Sequence, residues 1–251
     1  MHTLVVVNQK GGVGKTTVAH MLWTGLAKQG KRTLAVDLDA QGNFSFWAKA
    51  EPGKGTWDVL TKTIAAKDAI QATHQGHLIA SSPALAGADM TLVNVGKEYV
   101  LKESLEAVSD VYDVTIIDTP PALGILTING LVASDLVVIP AVAEAFSLQG
   151  IGQLAATIDP VRRYCNPGLK IAGILLTRYS TRTVLARNIA EMAQTMAGQL
   201  GTRVFKTWIR DGVAVREAQM QRESLFEYAP KSSVAVDCLD FIKELMPLLE
   251  A

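Results

Sequence analysis

The sequence predicts an α/β protein: a doubly wound, mostly parallel sheet flanked by helices. Short apolar runs alternate with helical patterns along the chain, which is the order expected of such a fold. Residues 114–117 and 136–139 are apolar on both faces, which is typical of strands covered by helices on each side. A glycine-rich turn at residues 8–17 joins the first apolar run to the first helix, and such folds bind ligands beyond the carboxyl ends of their strands.

The individual elements follow from the same two patterns. The apolar runs predict strands at 3–8, 33–37, 77–80, 114–118, 136–140 and 171–177, with a short one near 203–206. The helical periodicity predicts helices at 16–29, 44–50, 56–62, 86–95, 97–109, 123–133, 147–164, 182–199, 213–221 and 233–249. In the first helix Val18, Leu22 and Leu26 recur at i, i+4 and i+8, so one stripe of that helix faces the sheet.

Length and composition favour one α/β domain over residues 1–251. The chain is 49% apolar, which is ample for a single core, and no apolar run approaches the ~20 residues that a membrane-spanning helix needs. Cys165 and Cys238 form no C-x-x-C pair and are expected to be buried, reduced thiols, as in a cytosolic protein. Because the first strand begins near Thr3, we expect no signal peptide and a cytoplasmic protein.

The charge is balanced overall but unevenly distributed. Residues 160–231 hold twelve Lys or Arg and five Asp or Glu, while the whole chain has a net charge of zero. A basic segment within a neutral chain indicates an anionic partner at one face. Ordinary surface charge is the alternative interpretation.

The glycine-rich turn has the composition of a phosphate site. Residues 8–17 read Asn-Gln-Lys-Gly-Gly-Val-Gly-Lys-Thr-Thr, and a turn between a strand and a helix directs backbone N–H groups and the positive helix end at one anion. Lys15 would reach the outer phosphates, and the Thr16 hydroxyl would bind Mg²⁺. The predicted nucleotide-binding residues of the turn are Lys10, Gly11, Gly12, Val13, Gly14, Lys15, Thr16 and Thr17.

The turn departs from the strict phosphate-loop pattern in an informative way. That pattern requires a glycine five residues before Gly14, where this chain has Gln9, and it does not include the additional Lys10. In both respects the sequence resembles the deviant Walker A motif of the group of P-loop ATPases that includes ParA, MinD and the nitrogenase iron protein. The resemblance implies ATP and Mg²⁺ as ligands, with Lys10 and Lys15 in catalysis. It also implies that Lys10 contacts the nucleotide of a partner subunit.

The segment after the second predicted strand resembles the D-x-D-P-Q-G-N element of the same group. It comprises residues 36–43, with Ala40 in place of proline. The resemblance implies that Asp39 orients or activates the attacking water and that Asp37 belongs to the surroundings of Mg²⁺. Only one carboxylate within hydrogen-bonding reach of the water is needed. A capped turn is the alternative for both aspartates.

Residues 112–124 resemble a Walker B strand and its switch region. Four apolar residues ending in Asp118 place a carboxylate at a strand tip, where it would hold Mg²⁺, often through water. The continuation D-T-P-P-A-L-G resembles ParA more than MinD. A turn aspartate without a metal role is the alternative.

The nucleotide base would lie near two later segments. Residues 173–178 resemble the family strand whose end lies beside the base, which implicates Arg178. Thr207, Trp208 and Ile209 follow at the next predicted strand end and would line the same pocket. A core strand and a loop without ligand contact are the alternative.

The C-terminal third resembles the part of ParA proteins that binds DNA without sequence preference. Glu217-Ala218 and residues 228–232 match the family's closing elements. The candidate DNA-binding residues are Arg182, Arg187, Arg210, Arg216 and Arg222. The match is incomplete, because a basic residue of relatives falls on Ala214 here. A solvated face or local salt bridges are the alternative for any one arginine.

Together the motifs resemble a ParA-type partition ATPase in its short form, without an N-terminal helix-turn-helix domain. This implies an ATP-dependent homodimer, nonspecific double-stranded DNA, a ParB-like partner that stimulates hydrolysis, and a nucleoid-associated cytoplasmic protein. A relative that positions a protein cargo is the main alternative. A membrane regulator like MinD is disfavoured, because the tail at 236–246 is net acidic and anionic lipid would repel it. An iron–sulfur protein is disfavoured, because the Walker B region has no cysteine.

Overall fold

A computed structural model describes residues 1–142, 145–179 and 184–250, with the backbone alone for 145–150 and 184–187. Its strands form one sheet with the order β3-β4-β2-β5-β1-β6-β7. The strands are β1 (His2–Val6), β2 (Thr33–Asp37), β3 (Ile70–Thr73), β4 (Gly76–Ile79), β5 (Val114–Asp118), β6 (Leu136–Val142) and β7 (Lys170–Thr177). All neighbouring pairs are parallel except β3 and β4. The predicted doubly wound, mostly parallel sheet is confirmed.

Helices cover both faces of this sheet. They are α1 (Lys15–Lys28), α2 (Asn43–Trp47), α3 (Thr56–Leu60), α4 (Ala66–Ala69), α5 (Ala88–Thr91), α6 (Val100–Glu106), α7 (Ile125–Val132), α8 (Ala145–Tyr164), α9 (Val184–Gln199), α10 (Val213–Gln221), α11 (Leu225–Tyr228) and α12 (Ser233–Leu249). No helix in the described part of the chain is both long enough and apolar enough to cross a bilayer.

The core lies in two layers because strand side chains alternate between the faces of the sheet. On β1, Val5 packs in one buried cluster with residues of α3 to α9, whereas Leu4 and Val6 pack in the other with α1, α2 and α10 to α12. Apolar strands buried on both sides therefore account for the runs seen in the sequence.

The parallel register brings polar strand ends to one edge of the sheet. Val6 pairs with Asp118 and Asp37 also pairs with Asp118, so the ends of β1, β5 and β2 lie side by side. The glycine-rich turn leaves β1 at this edge, which places it next to both aspartates.

The prediction of a regular strand near 203–206 is wrong. The segment instead meets β7 at isolated bridges, Ile174 with Val204 and Thr177 with Ile209. Between the bridges the main-chain N–H groups of Lys206 and Thr207 donate to the Glu244 carboxylate of α12, at 2.8 and 2.9 Å. Those groups are therefore occupied by a side chain and cannot continue a ladder.

Several predicted boundaries also move. The helix predicted at 86–95 is reduced to α5, and the one at 97–109 to α6 with a preceding 3₁₀ turn, which begins after Gly96 with φ 80°. The helix predicted from residue 123 begins at Ile125, because Gly124 is extended. The hairpin partner β3 was not predicted, since its residues are partly polar and lie at the sheet edge.

Candidate nucleotide site

The glycine-rich turn forms a tight loop between β1 and α1. Gly12 and Gly14 have φ values of 75° and 88°, in the left-handed region that favours glycine. Gly14 directly precedes the first residue of α1, so the free N–H groups of that helix end point into the loop. This geometry suits an anion at the helix N-terminus.

Side chains at the carboxyl ends of β1 and β7 fix the loop. The Asn8 amide donates to the Pro140 carbonyl at 2.7 Å, and its oxygen accepts from the Lys10 N–H at 3.0 Å. The Thr177 hydroxyl donates to the Val13 carbonyl at 2.8 Å. Sequence reasoning missed Asn8 and Thr177 as organisers of the loop, although each lies at the end of a predicted strand.

Lys15 lies buried at the mouth of the loop. Its ammonium donates to the Lys10 carbonyl at 3.2 Å. Burial lowers the pKa of Lys15, and the charges of Asp118 and Asp39 act in the opposite direction. The structure therefore brings this cation together with both carboxylates that the sequence assigned to catalysis and to Mg²⁺.

Asp118 is completely buried, and no described residue donates a hydrogen bond of normal geometry to either of its carboxylate oxygens. Burial raises the pKa of Asp118 well above its ordinary value, and the neighbouring Asp37 charge adds to the effect, while the Thr16 hydroxyl and Lys15 oppose it. Buried carboxylate oxygens without donors are costly, and a bound cation would satisfy them. The site therefore fits Mg²⁺, which prefers oxygen ligands.

Asp37 is equally buried but has a different environment. Its oxygens accept from the Asp39 N–H at 3.0 Å and from the Ser45 N–H and hydroxyl at 2.9 and 2.7 Å. Burial still raises the pKa of Asp37 to about 6. These contacts make Asp37 the organiser of the loop that carries Asp39. Its predicted place near Mg²⁺ stays a prediction.

One cleft joins the glycine loop, including Lys15, to the loop that carries Asp39. It has a volume of about 780 Å³ and is lined by residues of the glycine loop, the Asp39 loop, α2, the switch segment and α10. The lining residues are Gly11, Gly12, Gly14, Lys15, Thr16, Thr17, Asp39, Gln41, Asn43, Phe46, Trp47, Pro121, Arg178, Arg216, Gln219 and Met220. Among the predicted residues, the cleft thus collects most of the glycine loop, Asp39, Arg178 and Arg216. Four of the residues predicted to bind phosphate or metal do not line it: Lys10, Val13, Asp37 and Asp118. Phe46, Gln219 and Met220 were not foreseen, because they come from segments distant in sequence.

A smaller cavity of about 80 Å³ continues from the cleft beside α1. Gly14, Thr17, Arg178, Arg216 and Gln219 line both spaces, and Ile209 lines the smaller one. This arrangement keeps Arg178 and Ile209 as candidates for a nucleotide base.

Thr207 and Trp208, also predicted to contact the base, line neither space. The main-chain N–H of Thr207 is held by Glu244, and Trp208 packs edge-on against Tyr179 with its ring partly exposed. Their predicted base contact has no support in this geometry.

Known proteins match the chain over most of its length. The family model of the AAA domain matches residues 1–171. Sporulation initiation inhibitor protein Soj of Bacillus subtilis is 40% identical over 248 residues, which cover 96% of this chain and 97% of Soj. The chromosome-partitioning ATPase Soj of Treponema pallidum is 42% identical over 219 residues, covering 86% and 85%. The chain belongs to the Soj/ParA family of partitioning ATPases.

Solved structures share the whole fold of this Soj/ParA-family chain. A structure described as cobyrinic acid a,c-diamide synthase from Mycobacterium smegmatis with bound ADP and magnesium is 33% identical, with a TM-score of 0.87, and covers 100% of this chain and 96% of that one. A Cyanothece McdA variant in complex with ATP is 25% identical, with a TM-score of 0.87 and coverage of 98% and 96%. Both likenesses show the same overall fold over nearly the whole chain.

The arginines predicted to bind DNA have diverse surroundings in this Soj/ParA-family protein. The Arg210 guanidinium is held by the nearly buried Asp237 carboxylate at 2.7 Å. The Arg222 Nε donates to the Phe46 carbonyl at 2.6 Å, and its guanidinium lies 4.6 Å from the centre of the Phe46 ring. Both side chains therefore already have structural contacts.

The remaining three candidates differ again. Arg216 is exposed, lines the nucleotide cleft and lies 3.4 Å from Asp211. Arg182 falls outside the described residues, and Arg187 lies on α9, where only the backbone is described. DNA binding by these residues stays a prediction.

Proposed function

We propose that this chain is a single-domain DNA-partition ATPase that switches between a free and a DNA-bound state. ATP closes a homodimer that binds double-stranded DNA without sequence preference, and hydrolysis stimulated by a ParB-like partner releases it. The observation that carries the proposal is the glycine loop, which contains a second lysine, Lys10, and which lines one cleft together with Asp39. The protein would act in the cytoplasm at the nucleoid.

The chain's own residues supply the parts that ATP hydrolysis needs. Lys15 and the N–H groups of the loop would bind the β- and γ-phosphates, and the Thr16 hydroxyl and Asp118 would hold Mg²⁺. No group of three or more His, Cys, Asp or Glu in the described residues could hold a metal by itself, so phosphate oxygens would complete the coordination. When bound, Mg²⁺ neutralises charge that develops on the phosphates.

Asp39 is the residue best placed to act on the attacking water. Its backbone is fixed by the Asp37 carboxylate, and its own Oδ1 accepts from the Gln41 N–H at 3.0 Å. A carboxylate needs hydrogen-bonding reach to the water that it orients or deprotonates. Because Asp39 lines the same cleft as Lys15 and Thr16, that requirement can be met at the phosphate end of the site.

The switch follows from where the nucleotide would lie. If Lys10 of each subunit contacts the partner's phosphates, ATP binds the closed dimer more tightly than the open chain and shifts the population towards it. Removal of the γ-phosphate weakens that contact and returns the chain to the open state. DNA affinity would follow the same cycle, since closure doubles the basic surface.

Membrane attachment has no support in the C-terminal helix. Its apolar residues Val234, Phe241, Ile242 and Leu245 are buried against the core layer that contains α1. A helix that uses its apolar face inside the protein cannot insert that face into lipid without first leaving the core. This favours DNA over an anionic membrane as the partner of the basic segment.

The test is the salt dependence of DNA binding. With ATP and Mg²⁺ the wild type should bind a random-sequence DNA duplex. The logarithm of its binding constant should fall linearly with the logarithm of the salt concentration, because phosphate contacts release counterions. Arg187→Glu should weaken binding and reduce the slope by about 1 for each phosphate that the protein no longer neutralises. Lys67→Glu, an exposed charge reversal outside the basic segment 160–231, is the matched control.

The same experiment on Arg216→Glu separates DNA binding from nucleotide binding at that residue. ADP affinity is measured in parallel, because Arg216 lines the nucleotide cleft. A weaker DNA complex with unchanged ADP affinity supports a DNA role. Wild-type protein that shows no ATP-dependent DNA binding at low salt would refute the proposed function.

A further inference from the structure

We infer that Asp89 is a positioning residue of the ATPase, which holds the end of the segment that leads from Asp118 into α7. This inference rests on the nucleotide site proposed above. The segment comprises residues 119–124 and includes Pro121, which lines the cleft. Asp89 lies on α5, 35 positions earlier in the chain than Gly124, and belongs to none of the motifs.

The first observation is a helix cap supplied from outside the helix. α7 begins at Ile125, and its N-cap residue is Gly124, which has no side chain to accept from the helix end. Oδ1 of Asp89 accepts from the Ile125 N–H at 2.8 Å instead. A carboxylate at this position also interacts favourably with the positive end of the helix.

The second observation is the close packing of the carboxylate on Gly124. A Cβ placed on Gly124 would lie 2.5 Å from Oδ2 and 2.7 Å from Oδ1 of Asp89. Gly124 has a φ of −91°, which other residues adopt, so the glycine is required by the approach of Asp89 and not by its backbone conformation. The two residues therefore form one unit.

Two further hydrogen bonds hold the segment 119–124 near its two ends. At the beginning of the segment the Thr119 hydroxyl donates to the Val6 carbonyl of β1 at 2.8 Å. Near its end the Thr127 hydroxyl donates to the Ala122 carbonyl at 2.6 Å. The segment is thus tied to β1 at one end and to the first turn of α7 at the other, and Asp89 fixes that first turn.

We expect the contact between Asp89 and Gly124 to affect ATP hydrolysis as well as the stability of the fold. Prolines at positions 120 and 121 restrict the segment, so a shift of the α7 end is transmitted towards Asp118 and the cleft. Small displacements of catalytic groups reduce turnover more than they reduce ground-state binding. Removing the Asp89 carboxylate should therefore lower kcat while the nucleotide still binds.

The test compares Asp89→Ala, Asp89→Asn and Gly124→Ala in the full chain. Asp89→Ala should lower kcat for ATP hydrolysis about tenfold, the effect of losing one hydrogen bond to a charged group. KM and ADP affinity should stay within about twofold, since Asp89 does not line the cleft. Asp89→Asn keeps an acceptor oxygen and should restore most of the rate, whereas Gly124→Ala displaces the carboxylate and should resemble Asp89→Ala.

Asp135→Ala is the matched control, because Asp135 also holds a backbone N–H, that of Thr3, but at the opposite edge of the sheet. Asp135→Ala should lower the midpoint temperature of unfolding without reducing kcat more than it reduces ADP affinity. Wild-type kcat in Asp89→Ala, or equal losses of kcat and ADP affinity, would overturn the inference. If Asp89→Ala does not fold, the pair Asp89→Asn and Gly124→Ala decides by the same readouts. A wild type without ATPase activity would instead refute the proposed function.

Discussion

Asp37 and Asp118 end neighbouring strands and are paired in register, yet they are suited to different tasks. Asp37 accepts hydrogen bonds from Asp39 and Ser45, so its charge is used to shape a loop. No described residue donates a hydrogen bond of normal geometry to Asp118, so its buried carboxylate would be free to bind a cation. The hydrogen bonds thus distinguish two adjacent carboxylates, and the metal-binding role of Asp118 stays a prediction.

The loop that Asp37 shapes leads to the first prediction at this scale. Asp39→Ala should reduce ATP hydrolysis at least about 100-fold, the usual contribution of a carboxylate that orients or deprotonates water. ATP binding should persist, because Lys15 and the glycine loop are unchanged. Phosphate release under single-turnover conditions measures the rate, and retained labelled ATP measures binding. A wild-type rate of hydrolysis would remove Asp39 from catalysis.

Single residues show where sequence reasoning was sufficient and where it was not. The proximity of Lys15, Asp39 and Asp118 could be predicted, because their motifs follow strands that end at one edge, whereas their roles stay predictions. The roles of Asn8 and Thr177 could not be predicted, since each depends on a hydrogen bond to a carbonyl 132 or 164 positions away. Hydrogen-bond partners that are distant in sequence leave no local pattern.

At the scale of elements, α1 connects the glycine loop to the layer behind it. His20, one turn into the buried face of this helix, stacks parallel on Trp47 of α2 with ring centres 3.7 Å apart. The histidine is fully buried, and burial lowers its pKa to about 3. The helix that presents Lys15 is therefore packed on α2 through a ring that must stay neutral.

This burial predicts a dependence of stability on pH. Because the pKa of His20 is lower in the folded state, the unfolded chain binds more protons between about pH 6.5 and pH 3, and stability falls as the pH is lowered through that range. The contribution is at most about 1.4 kcal/mol per pH unit. His20→Phe keeps an aromatic ring for Trp47 but cannot be protonated, so its unfolding free energy should fall less steeply with acid.

Urea unfolding at several pH values between 7 and 4 measures this difference. His2→Phe is the matched control, because His2 is exposed at the start of β1. The control should keep the wild-type profile. An unchanged slope in His20→Phe would show that this histidine does not set the acid sensitivity of the fold.

Strands that are buried on both faces were predicted well. A strand was predicted wrongly where a side chain binds the backbone N–H groups that a neighbouring strand would otherwise bind. The strands β1, β2, β5, β6 and β7 follow directly from apolar runs. The segment at 203–209 has comparable apolar content but pairs with β7 only at isolated points, because the Glu244 carboxylate binds two of its N–H groups. A carboxylate on α12 is not visible in the local pattern of that segment.

At the scale of the whole molecule, one edge of the sheet collects every group of the proposed reaction. The glycine loop, the Asp39 loop and the segment after Asp118 all leave the strands at this edge and surround one cleft open to solvent. In the proposed dimer a second copy of the chain covers this opening and its Lys10 contacts the bound phosphates. The proposed function therefore requires that dimer formation depends on both ATP and Lys10.

Light scattering of purified protein with ATP and Mg²⁺, or with ADP and Mg²⁺, tests that dependence most directly. The wild type should double its mass with ATP but not with ADP. Lys10→Ala should bind ATP with little change and remain a single chain, whereas Lys15→Ala, the matched lysine variant, should lose ATP binding itself because it removes the charge at the phosphates. A Lys10→Ala protein that doubles its mass like the wild type, or a wild type that stays a single chain in saturating ATP, would contradict the account.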